Sequence, residues 1–252
     1  RTANPDFGAS FTYFLSEVPK TAAEQRRERE SELREAGEDA PFPGYDLLRE
    51  EAAENAPRVL LLVRDAGGDP VRWIEGPAHE GLQHVNWDLR HPAPDPIDLS
   101  TPAFRPPWAG APRGPLAAPG EYSVELMLLA NGAMQSLGEP QRFMVNAVPN
   151  VPGNPNFAAV VAFQRQAAAL SRRAANAGRQ IGETREKLRF MRAALIETPA
   201  ADPALFARMD ELGRALDGLQ TRLFGDNIRG RLNEPGVPSI AGRIRRVYGN
   251  AT

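Results

Sequence analysis

The sequence predicts an α+β protein: an antiparallel β-sandwich of about seven strands with a charged helical insertion, then an antiparallel, coiled-coil-like helical hairpin and a short third helix. Three observations predict it. Short segments before residue 148 alternate apolar and polar side chains with a period of two, and Gly-, Pro- and Asn-containing turns separate them. The stretch Lys20–Ala40 is dense in Glu and Arg, which marks a solvated helix rather than a strand. From Phe163 onward, apolar residues recur in alternating steps of four and three, the spacing of a helical seam. Two domains follow: residues 1–148, with the insertion at about 20–56 and a proline-rich loop at about 92–119, and residues 156–252.

The strands come first. Ser10–Leu15 places Phe11, Tyr13 and Leu15 on one face. In the insertion Glu30 stands four residues from both Arg26 and Arg34, which supports a helix through opposite-charge pairs, and a second short helix is expected from Tyr45 to Glu54. Val59–Arg64, the turn Asp65-Ala66-Gly67-Gly68-Asp69 and Val71–Ile74 form a β-hairpin. Leu82–Arg90 alternates Val85, Trp87 and Leu89 with His84, Asn86, Asp88 and Arg90. Tyr122–Leu129 leads into Asn131-Gly132, a pair that favours a type I′ turn because both residues tolerate positive φ, and a last strand lies around Arg142–Val145.

Two of these strands are apolar on both faces. Leu60 and Leu62 lie opposite Val59, Leu61 and Val63, and Met127 and Leu129 repeat the pattern beside Leu126 and Leu128. The outer face of an antiparallel sandwich is normally polar, so something is expected to cover it. Leu60, Leu62, Met127 and Leu129, with Trp108 on the proline-rich loop, are the candidate interaction surface.

Next come the helices. Phe163, Ala167, Leu170, Ala174, Ala177, Ile181, Thr184, Leu188, Met191 and Leu195 form one seam; Leu205, Met209, Leu212, Leu216, Leu219 and Leu223 form the other. Asp202-Pro203 supplies a cap and a first-turn proline, and the short connection makes the helices antiparallel. At ~1.5 Å per residue the first helix reaches on the order of 60 Å and the second nearer 35 Å. The difference leaves room for a last helix over Ser239–Tyr248, using Ile240, Ile244 and Val247.

Composition bounds the function. Thirty basic residues against 32 acidic ones, net −2, give no concentrated positive field for nucleic acid or a polybasic membrane contact. No apolar run approaches the ~20 residues of a membrane span. With no cysteine there is no disulfide, thiolate metal site or thiol nucleophile. The chain begins at Arg1 without a Met, and the expectation is a processed form or a piece of something longer.

No candidate for chemistry survives inspection. His79, His84 and His91 are spaced five and seven apart on a strand and its loops, without the convergence a metal needs. The Asp65–Asp69 turn lacks the alternating oxygen ligands and closing Glu of a calcium loop. Asp65, Glu75, Asp88 and Glu121 fall in strands or turns that offer no cleft for a carboxylate pair. Trp73, Trp87 and Trp108 could make a sugar-stacking platform, but Trp87 faces inward by alternation and Trp108 sits in the loop Arg105-Pro106-Pro107-Trp108. No catalytic, cofactor-binding or metal-ligating residue is assigned, and no cofactor is expected.

Four ordered segments carry a resemblance: Gly8-Ala9-Ser10 with Tyr13-Phe14-Leu15; Val63 to Arg72 with its Asp-Ala-Gly-Gly-Asp turn; Gly81 to Arg90, ending Trp87-Asp88-Leu89-Arg90; and Ala118-Pro119-Gly120-Glu121-Tyr122-Ser123-Val124. Together they resemble the C-terminal region of bacterial sortilin-like, Asp-box β-propeller proteins often labelled glycosyl hydrolases. There an immunoglobulin-like domain of the fibronectin/FlgD type precedes a helical hairpin. The propeller is absent from this chain, and the connection around Lys20–Ala56 is longer than the resemblance leads one to expect. The resemblance therefore carries over no catalytic residue; it implies export and a role in display or assembly.

The functional expectation is a non-catalytic structural or interaction module. It docks to protein partners in a larger extracytoplasmic assembly, such as the periplasmic face of a photosynthetic or respiratory membrane complex, after removal of an N-terminal segment. No nucleic acid and no direct membrane span are expected. The alternative is a carbohydrate-binding accessory module of a propeller-type glycosidase-like protein.

Overall fold

Seven antiparallel strands in two sheets and six helices make up the mixed α+β architecture of the computed structural model, with no closed barrel among the described residues. The structure describes residues 6–95, 97, 104, 106, 110, 112–148 and 156–249. The chain divides into two compact units: residues 1–91 with 117–151, and residues 92–116 with 152–252.

In the first unit β1 (Ala9–Leu15) pairs with β4 (Gly81–Trp87) as a two-stranded sheet. The second sheet has β3 (Pro70–Gly76) beside β2 (Arg58–Asp65), then β5 (Gly120–Ala130). The far side of β5 is shared by β6 (Ala133–Ser136) and β7 (Gln141–Val145). The period-two pattern does its expected work: Val59, Leu61 and Val63 of β2 are buried, and both sheets contribute to the same core. At its centre Trp87 is 1 % exposed, edge-on to Tyr122 and Phe143 with centroids at 5.6 and 6.2 Å.

Two turns explain sequence motifs. Asn131 (φ 52°) and Gly132 (φ 73°) both take left-handed conformations, so a two-residue turn joins Ala130 directly to Ala133. The strand expected to run to Arg90 instead ends at Trp87, because Leu89 adopts φ 55°. Asp88 Oδ1 accepts the Arg90 amide at 3.1 Å, and the Trp87 indole donates to the Arg90 carbonyl at 3.0 Å. Trp-Asp-Leu-Arg is thus a self-bonded turn that fixes the core tryptophan, with Ala117 N donating to the Leu89 carbonyl at 2.7 Å.

The insertion contains α1 (Ala22–Glu35) and α2 (Tyr45–Ala53). Thr21 and Glu24 form a reciprocal capping box that starts α1. Glu30 binds Arg26 at 2.6 Å and lies 3.9 Å from Arg34, and Arg26 also reaches Glu51 of α2 at 2.8 Å. These pairs substitute for a core, since neither helix has a buried residue.

The second unit holds α3 (Phe157–Ile196), α4 (Ala204–Phe224), the short α5 (Asn227–Arg231) and α6 (Ile240–Gly249). Arg185 binds Asp217 and Arg192 binds Asp210, so seven residues forward on α3 are seven back on α4. The ring of Phe224 lies over Gly178, where a Cβ would come within 2.4 Å of it. Buried Ile244 anchors α6, which contacts both α3 and α4. The proline-rich segment groups with these helices rather than with the strands flanking it in sequence. Proline lacks the amide a strand ladder needs, while its neighbours' carbonyls remain acceptors. Arg172 donates to the Ala93 carbonyl, Arg179 to Ile97 and Tyr248 Oη to Arg113.

Candidate interaction surface

Strand register assembles the sequence-predicted residues on one sheet face. Leu60 pairs directly with Met127, Arg58 with Leu129 and Leu62 with Glu125, so Leu60, Leu62, Met127 and Leu129 are direct or diagonal neighbours. Leu62 is buried at 2 % exposure and contributes packing, while Leu60, Met127 and Leu129 are half-buried. Trp108 lies outside the described residues.

The row extends beyond those four. Across β3, Trp73 stands opposite Leu62 and is 48 % exposed. Across β6, Met134 stands opposite Leu129 and is 47 % exposed. The sequence reading did not place Met134, because β6 is short and exposed throughout. The signal was nevertheless present: a two-residue Asn-Gly turn after Ala130 forces Met134 beside Leu129.

Ion pairs border the row. Arg58 makes a two-pronged contact with Glu75, both bonds at 2.7 Å, and Arg64 lies 4.0 Å from Glu125. The guanidinium holds the Glu75 carboxyl below the usual carboxylate range, and the same bond raises Arg58. Both groups are more than half exposed, so the pair defines charge and position more than stability.

The residues considered for chemistry are occupied locally. Asp65 Oδ1 accepts the amides of Gly67 and Asp69, each at 3.0 Å, which closes the hairpin turn. His84 Nδ1 bonds Thr12 Oγ1 at 2.8 Å on an exposed strand face. Among the described residues no group of three or more His, Cys, Asp or Glu could hold a metal ion, and no helix is long and apolar enough to cross a membrane. A hollow of about 340 Å³ beside the end of β1 is lined by Phe14, Val18, Leu126 and Leu128 and has Glu17 as its sole ionisable residue.

Comparison with protein-family models, with curated proteins and with solved structures finds no match to this chain.

Proposed function

We propose that the chain is a non-catalytic interaction module of the immunoglobulin-like, fibronectin-type sandwich class, followed by an antiparallel helical hairpin, and that it docks to a larger extracytoplasmic protein assembly. The observation that carries the reading is the apolar row Trp73, Leu60, Met127, Leu129 and Met134 across four strands, set around the buried Leu62 and framed by two ion pairs. A contiguous apolar strip with a charged margin has the anatomy of a protein contact. The sandwich assignment is supported by the inner Trp87 and by Tyr122, whose hydroxyl donates to the Ala118 carbonyl at 2.7 Å four residues upstream, in the manner of a tyrosine corner. Against glycoside hydrolysis in particular, the hollow beside β1 has one carboxylate where that reaction uses two.

A photo-crosslinking amino acid at Met127 or Met134, in cells that make the chain naturally, tests it. The expected result is a single discrete protein adduct at both positions and none at Gly67 on the hairpin turn. Equal labelling at all three positions, or none at Met127 and Met134, overturns the reading.

One observation favours the carbohydrate-binding alternative: Trp73 presents a half-exposed ring on an open sheet face. A glycan array with wild type and Trp73→Ala decides it. Hits lost in the variant establish the alternative, and silence on the array removes it.

A further inference from the structure

The helical unit has a groove that its own residues do not fill. On both long helices the apolar spacing defines positions a and d of a heptad. Yet α3 and α4 meet through a and the neighbouring e position, as partly buried Gly178, Arg185, Phe206 and Gly213 show. The d residues turn away from that contact: Met191 is 54 % exposed, Leu212 54 % and Leu219 50 %. Two helices share one line of contact, so a stripe three positions wide exceeds what either can cover for the other.

The d and g positions of both helices, with the a positions as floor and Ile240 of α6 at one end, line two successive hollows of about 420 and 400 Å³. They run from Ala177 to Leu195 on α3, with Thr198 just past its end, and from Leu205 to Leu223 on α4. At ~1.5 Å per residue the groove is on the order of 30 Å long, about five helical turns. Among the described residues its lining has two charges, Arg208 and Arg222, and neither takes part in an ion pair. The helical unit as a whole has the same sign: it carries 18 basic against 11 acidic residues, net +7, whereas the strand unit carries 12 against 21, net −9.

We propose that this groove binds an amphipathic helix of a partner protein, about five turns long, with apolar residues at three–four spacing and acidic residues on the flank that meets Arg208 and Arg222 of α4. The charge selects this occupant. A second copy laid groove to groove brings no lining carboxylate to pair with these arginines. The chain's own acidic helix, α1, has no apolar stripe to offer. A concave trough between two helices suits an inserted helix better than a lipid surface, which takes a convex apolar face. The proposal uses none of the sheet residues, so it stands or falls separately from the sheet-face reading.

The probes are two labelled 21-residue leucine-heptad peptides, one with Glu and one with Lys at the flanking positions, titrated by fluorescence anisotropy into the full chain. The Glu peptide is expected to bind at least about tenfold more tightly than the Lys peptide, and added salt should shrink the difference. Leu212→Asp with Leu219→Asp, both at exposed positions, should weaken Glu-peptide binding at least about tenfold with unchanged circular dichroism. Arg208→Glu with Arg222→Glu should reverse the preference. Equal binding of the two peptides, or indifference to the leucine variant, overturns the proposal. So does sedimentation showing a dimer that the leucine variant dissociates. Tighter binding to vesicles of one part phosphatidylglycerol and three parts phosphatidylcholine than to the Glu peptide overturns it as well.

Discussion

The strand unit closes its core and the helical unit does not. Trp87, Val59 and Val63 are essentially inaccessible, and residues from both sheets surround them. Along α3, by contrast, the fully buried positions are Gln164, Ala167, Ala168 and Ile181, while Phe163, Leu170 and Met191 stay at least half exposed. The difference is geometric. Residues of both sheets meet in shared core clusters, whereas a helix pair has two open sides. Burial therefore closes the interior of the first unit and leaves the apolar stripe of the second partly open.

The largest expected effect comes from breaking the closed side. Trp87→Ala should cost about 3–5 kcal/mol in urea unfolding, through a core cavity and the lost indole bond to Arg90. Leu212→Ala in the open groove should cost less than about 1 kcal/mol. Similar losses for the two would erase the contrast.

Glycines sharpen it with opposite signs. Gly8 has φ 139°, and a Cβ there would stand 2.0 Å from the Trp87 carbonyl oxygen. Gly8→Ala should destabilise by on the order of 2–3 kcal/mol. Gly182, inside α3, has nothing within 4 Å of a built Cβ, so Gly182→Ala should raise stability by up to ~1 kcal/mol. Thermal midpoints of the two variants moving in opposite directions is the check.

Tyr122→Phe removes one hydroxyl donor while its ring remains against Trp87, and should cost about 1 kcal/mol in the same unfolding assay. A loss as large as that of Trp87→Ala would mean that the corner, not the ring cluster, organises the strand unit.

The smallest effect is a pH response in the insertion. The bond from Arg26 holds the Glu51 carboxyl below its ordinary value. A depressed carboxylate stabilises above its unfolded pKa, and that contribution disappears as pH falls through the folded value. Amide resonances of α1 should therefore shift as pH falls below the ordinary carboxylate range in the wild type. In Glu51→Gln the dependence around Arg26 should shrink to what Glu24 and Glu30 of α1 itself contribute, while β2 amides in the core stay unchanged.

Much of this was legible in the amino-acid order because the forces involved are local or periodic. Alternation located β1, β2, β3 and β5, and it assigned Trp87 to the core. The Glu30 pairs with Arg26 and Arg34 followed from helical spacing alone. Leu60, Leu62, Met127 and Leu129 were visible as apolar residues on the wrong face, but their adjacency depended on β2 pairing with β5 across some sixty residues. Met134 was missed although the turn specified it, because a four-residue exposed strand has too little pattern to register.

By itself, the sequence determined the element types, the turn that aligns β6 with β5, and the apolar stripes on α3 and α4. These depend on side-chain period and on which residues tolerate positive φ. Only the tertiary structure decided how those stripes are used. It ended β4 at Trp87 by bonding the next turn to the indole. It grouped residues 92–116 with the helices through arginine donors eighty residues away. And it set α3 against α4 through a and e, so that d faces out: a heptad records that a stripe is apolar, while the number of helices available to cover it is a property of the assembled fold.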